Sequence, residues 1–159
     1  MPPKPFIDLG SLDPDRLLVD REAVYKVCPH RHEFAMLDGI LVLDHQQGLM
    51  AAVKNLRPDE FWVRGHIPGR PIFPGVLMIE TAAQLVSYYV GTDPSTRQGA
   101  FMGFGGVTDV KFRGAVTVGD QIVMLGRIVE MRSRRIVGST QAFVRGQMVY
   151  EGLITGMWV

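Results

Sequence analysis

Residues 66–90 limit what this chain can fold into more than any other stretch. Pro68, Pro71 and Pro74 keep residues 66–74 out of regular structure, and a helix-period run then extends from Gly75 to Val90, with Gly91 as its expected stop. At ~1.5 Å per residue this is a rod about 24 Å long. It is the one long helix the sequence predicts. Val76, Leu77, Met78, Ile79, Ala82 and Ala83 make it apolar on nearly all sides, so the rest of the chain has to wrap it.

The wrapping comes from strand-like stretches. Phe34 to Leu43 and Leu49 to Val53 flank a polar loop, Asp44 to Gly48, with the character of a hairpin. Residues 100–112, Gln121 to Met131, Ile136 to Val144 and Met148 to Val159 follow, separated by Gly119-Asp120, Arg132 to Arg135 and Arg145 to Gln147. About six strands and one helix predict a single α+β domain over residues 26–159, an antiparallel sheet curled around the helix. The sheet's other face is left to pack on something else, often a second copy. Residues 1–25 hold four of the ten prolines and read as an irregular arm with one helical turn near Asp13 to Leu18.

Composition removes several function classes. Seventeen basic against sixteen acidic side chains give a net charge of +1, so no overall basic field favours nucleic acid, and Arg132-Ser133-Arg134-Arg135 reads as a solvated strand end. The apolar run Val76 to Val90 is broken by Glu80 and Gln84 and falls short of the ~20 residues of a membrane span. Cys28 is the single cysteine, and Met1-Pro2-Pro3-Lys4-Pro5 lacks a secretory pattern, so a cytoplasmic location is expected.

Glu80 is the most informative residue, because a carboxyl among core-type neighbours is costly unless partnered or functional. Such surroundings favour a retained proton, which suits a general acid. Gln84, at i+4, shares its face and can hold it by hydrogen bonding. The bland alternative is a Glu80 that reaches solvent or pairs with an arginine. His66, before the proline-rich loop, is a candidate base, or merely structural. Gly75 stands in the first helical turn, where free N–H groups and the helix dipole favour developing negative charge, or where glycine simply permits close packing. Base, oxyanion donor and acid thus occur in chain order.

The stretch Gly65-His66-Ile67-Pro68-Gly69-Arg70-Pro71-Ile72-Phe73-Pro74-Gly75-Val76-Leu77-Met78-Ile79-Glu80-Thr81-Ala82-Ala83-Gln84 closely resembles the active-site segment of the bacterial β-hydroxyacyl-acyl carrier protein dehydratases. Pro29-His30-Arg31 with Phe34 and Asp38 upstream, and Val110 to Arg113 with Gly119-Asp120-Gln121 downstream, extend the likeness over most of Cys28 to Val159. The resemblance implies a hot-dog fold and a homodimer whose two sites each take the histidine from one chain and the acid from the other. Three dimers often stack as a hexamer. It casts His66 as the base at C2, Glu80 as the acid at the C3 hydroxyl, Gly75 N–H as the donor to the thioester carbonyl and Gln84 as the support of Glu80. No metal or redox cofactor is implied. Phe73, Phe101, Met102 and Phe104 are the expected lining of an acyl tunnel. Lys54, Arg57, Lys111, Arg113 and Arg132 to Arg135 are candidates to dock the acidic carrier.

Two departures stand out. Ile67 replaces the usual phenylalanine, and His32-Glu33 replaces an aromatic followed by proline. The second leaves Cys28, His30 and His32 at alternate positions, too few ligands for zinc, and they read as structural. Relatives that also isomerise the product typically carry aspartate at the acid position, so Glu80 points to dehydration alone. The alternatives are a hot-dog thioesterase and a non-catalytic subunit that binds the acyl carrier.

Overall fold

Turn chemistry sets the register of the sheet. In the computed structural model, which describes residues 1–96, 99 and 101–159, Asp44 Oδ1 accepts the N–H groups of Gln46 and Gln47 at 3.0 and 2.9 Å and bends the chain back. Arg145 and Gly146 both have positive φ, 49° and 77°, as the type I′ turn of a two-residue hairpin requires. The elements in order are β1 (Val19–Asp20), α1 (Arg21–Tyr25), β2 (Gly39–Asp44), β3 (Leu49–Asn55), α2 (Gly75–Thr92), β4 (Met102–Phe112), β5 (Gln121–Met131), β6 (Arg135–Val144) and β7 (Gln147–Trp158).

These strands form one antiparallel sheet in the order β1-β2-β3-β5-β6-β7-β4. The sheet has seven strands rather than about six, because β1 adds two residues beside β2. The arm also differs from expectation. Its 3₁₀ turn lies at Leu9–Ser11, residues 13–16 make only a reverse turn closed by Arg16 N–H on the Asp13 carbonyl, and α1 follows β1. Phe34 does not open β2 but ends a 3₁₀ turn, His32–Phe34. Asp38 explains the late start of the strand: its carboxylate accepts the Asn55 N–H at 2.6 Å and pairs with Arg21. Ala100, expected to open the strand over residues 100–112, lies outside the described residues.

The helix α2 lies across the concave face of the sheet and ends two residues later than expected. Gly91 is inside its last turn. Thr92 Oγ1 donates to the Tyr88 and Tyr89 carbonyls at 2.9 and 3.0 Å, and Asp93 N–H donates to the Val90 carbonyl, so the C-terminus closes without glycine. Leu85 and Val86 are fully buried, which contributes about 1.5–3 kcal/mol each. One stripe, Val76, Glu80, Ala83, Ser87 and Gly91, is left uncovered by the chain's own sheet.

A smaller core occupies the convex face, where Ala51, Leu125, Phe143 and Met148 meet Phe6, Ile7, Leu9 and Leu12 of the arm. Gln141, 1% exposed, clamps the arm in both directions. Its Oε1 accepts the Phe6 N–H and its Nε2 donates to the Lys4 carbonyl, both at 3.0 Å. Covering both faces explains why β3 and β6 lack in–out alternation and are buried almost throughout.

Candidate active site

The loop before α2 is built to present His66. Its backbone N–H donates to the Trp62 carbonyl at 2.8 Å, and its own carbonyl accepts from Ile72 N–H at 3.1 Å. The His66–Ile67 peptide bond is cis. His66 Nδ1 lies 2.6 Å from the Ile72 carbonyl oxygen. A carbonyl can only accept, so Nδ1 carries the proton and Nε2 keeps a free lone pair. That is the tautomer a base needs, and the side chain is exposed.

Below the loop, Phe73 N–H is tied to the Val116 carbonyl at 2.7 Å, and the Phe73 ring, 1% exposed, packs edge-on against Trp62 at 5.3 Å. Phe73 therefore belongs to the core and not to a tunnel wall. Lys54 needs the same correction. It is 2% exposed, 5.7 Å from the centre of the Phe73 ring and 2.7 Å from Glu60 Oε1. This buried pair supports the loop and leaves Lys54 unavailable to a carrier protein.

Pro74 precedes α2 and lends its carbonyl to Leu77 N–H at 2.9 Å. The N–H groups of Gly75 and Val76 then have no acceptor within the helix. A Cβ on Gly75 would stand 2.8 Å from Phe112 Cζ, so the ring lies directly on the backbone of the first turn.

One turn further, the Glu80 side chain is 30% exposed rather than sealed in the core. Gln84 Nε2 donates to Glu80 Oε1 at 2.7 Å and to the Phe34 carbonyl at 2.6 Å, and Gln84 Oε1 accepts Met36 N–H at 3.0 Å. Because the Met36 N–H can only donate, the amide has one orientation, and Gln84, 2% exposed, is a rigid support for Glu80. The pair opens on a cavity of about 110 Å³ whose apolar wall includes Phe101, Met102, Phe104 and Ile154. Neither His66, Gly75 nor Phe73 lines it.

His30, assigned a structural role from the sequence, does line this cavity, with Nε2 3.6 Å from Glu80 Oε1. The signal was the Pro29-His30-Arg31 triplet, but only the folded loop brings it against α2. Cys28 is buried two residues earlier, and burial pushes its thiol up to about 12. No group of three or more potential metal-binding side chains occurs among the described residues, and no described helix is long and apolar enough to cross a membrane.

A sheet curled around one helix, with a helix-borne carboxyl at the mouth of an apolar cavity, defines a hot-dog protein. The model of the FabA-like domain family matches residues 28–153, and the chain belongs to that family. It is 36% identical over 129 residues to the 3-hydroxyacyl-(acyl-carrier-protein) dehydratase FabZ of Symbiobacterium thermophilum, covering 81% of this chain and 89% of that one. The FabZ of Syntrophobacter fumaroxidans is 37% identical over 123 residues, covering 77% and 82%. Among solved structures, the dehydratase heterocomplex ApeI:P from Xenorhabdus doucetiae aligns with a TM-score of 0.73 at 15% identity, over 91% of this chain and 93% of that one. Cj0977, a sigma28-regulated virulence protein of Campylobacter jejuni, aligns with a TM-score of 0.64 at 11% identity, over 87% and 88%. These two share the fold.

Proposed function

We propose that this chain removes water from a β-hydroxyacyl group held as a thioester on acyl carrier protein, giving the trans-2-enoyl product in cytoplasmic fatty acid biosynthesis. The observation that carries this reading is Glu80 pinned by Gln84 at the mouth of an apolar cavity. His66 Nε2 takes the C2 proton, Glu80 protonates the departing C3 hydroxyl, and Gly75 N–H receives the charge that develops on the thioester oxygen. Phe101, Met102 and Phe104 supply the lining for the acyl chain.

The working unit is a homodimer with shared sites. His66 is absent from the wall of the Glu80 cavity, which fits a second copy bringing its own histidine to it. The uncovered stripe on α2 continues onto the free edge of β4, where Phe104 and Phe112 are 56% and 50% exposed, and this apolar seam suits a second copy. Lys111 and Arg113, at the end of β4, are suited to meet the acidic carrier.

Hydration of an enoyl thioester, the reverse reaction, is followed by loss of the enoyl absorbance. His66→Ala and Glu80→Gln are each expected to lower this rate by about 100-fold or more. Full activity in both variants would remove the acid–base assignment.

A further inference from the structure

The Glu80 cavity holds a second titratable side chain that this mechanism leaves idle. His30 faces Glu80 Oε1 at 3.6 Å, and its Nδ1 is buried with no hydrogen-bond partner among the described residues. His66 is locked into one tautomer by the Ile72 carbonyl, whereas no described contact fixes which nitrogen of His30 holds the proton. The backbone beneath the ring is stiff all the same. Arg31 Nη1 donates to the Cys28 and His30 carbonyls at 2.8 and 2.9 Å, and its Nη2 donates to the Tyr25 carbonyl at 2.9 Å. An imidazole on a fixed loop, with uncommitted ring nitrogens, thus faces the same carboxyl oxygen that Gln84 holds from another side.

We propose that His30 returns to Glu80 the proton that Glu80 gives up in each turnover, an inference that rests on reading Glu80 as the acid. Dehydration leaves Glu80 as a carboxylate and His66 as an imidazolium, so both must be reset before the next substrate. The Nε2–H bond of a His30 imidazolium breaks, an O–H bond forms on Glu80, and the ring is left neutral with its proton on Nδ1. Nε2 then regains a proton from water in the cavity, while His66 loses its extra proton to solvent, and no net proton is gained or lost. In the hydration direction the same steps run backwards, with His30 carrying away the proton that Glu80 takes from the attacking water. A gap of 3.6 Å is longer than a hydrogen bond, so the transfer takes place when the His30 ring moves toward Glu80.

Within the same chain, no other titratable group among the described lining of the cavity competes for this role. The helix contributes only Glu80 to the cavity among the described titratable residues, and Phe101, Met102, Phe104, Ile154 and Thr155 close it without a titratable group. The Arg31 guanidinium is committed to three carbonyls, and the Cys28 thiol stays protonated.

The test is hydration of an enoyl thioester by the purified full-length chain as wild type, His30→Gln, His30→Asn and Glu80→Gln, with and without added imidazole. The glutamine side chain in His30→Gln keeps an amide donor near Glu80 but cannot pass a proton on. In that variant kcat for hydration should fall about tenfold or more with KM unchanged, and imidazole should restore it in proportion to the buffer's unprotonated fraction, since in this direction the lost group takes a proton from Glu80. The wild type should not respond. A His30→Gln variant with wild-type kcat, or a slowed one that imidazole does not rescue, overturns the proposal. If His30→Gln fails to fold, His30→Asn decides by the same rescue. Glu80→Gln separates the two claims. If it stays active, the reading of Glu80 falls and this inference with it. If it is inactive while His30→Gln is unaffected, only the role of His30 falls.

Discussion

Gln84 does more for the site than any residue that meets substrate. Its side-chain amide ties Phe34 and Met36 of one segment to Glu80 of another, so Gln84→Leu strips partners from the buried Met36 N–H and the part-buried Phe34 carbonyl at once. Each unpaired group costs about 1–3 kcal/mol, and denaturant unfolding should record the loss alongside a lower kcat. Cys28 gives a pH-dependent counterpart. The folded chain holds this thiol protonated up to about 12, whereas the exposed thiol of the unfolded chain ionises near 9.0. Below that range both states bind the proton and stability is unaffected by it. As pH rises through the window from the lower to the higher value, the unfolded state releases a proton the native state keeps, and stability falls. Urea midpoints should therefore drop less steeply across this window in Cys28→Ala than in the wild type, and native Cys28 should resist iodoacetamide at neutral pH. The Glu80–Gln84 pair was legible in the sequence because helical spacing alone puts i and i+4 on one face. The cavity-side position of His30 was not, since it depends on a loop far upstream folding over that face.

Among the elements, α2 and the sheet meet through small side chains. A Cβ on Gly138 of β6 would lie 2.8 Å from Val86 Cγ2, and Val86 is fully buried. Gly138→Ala should cost about 1–3 kcal/mol by overpacking, read as a lower unfolding midpoint, while the mirror change Val86→Ala in the same background should recover part of the loss. The helix and the six longer strands were legible because each is a long, largely apolar run bounded by turn-forming residues. The arm was not. Its turn at Leu9–Ser11 and the two residues of β1 are too short for any period, and what holds the arm is Gln141, far along the chain. Phe73 and Lys54 were misplaced for a related reason. Composition gives their character, but only the packing of Trp62 and Glu60 beneath the loop turns both inward.

For the whole molecule, the proposed sharing of sites between two copies makes an arithmetic prediction. His66→Ala and Glu80→Gln are each inactive alone, but a mixed dimer keeps one site with both groups intact. Random exchange makes half the dimers mixed, each with one working site of two, so about a quarter of wild-type activity should return on mixing. Light scattering before and after mixing fixes the mass of the exchanging unit. No gain on mixing would mean that both groups act from a single chain.

The two ends of the sheet are unequal. At one end β1 is only two residues long, and at the other β4 runs for eleven with apolar side chains along a free edge. A chain with a single adhesive edge uses it up in its first pairing. In the proposed homodimer, strand-to-strand growth therefore counts to two and halts, which protects a long, greasy edge strand from polymerising into fibres.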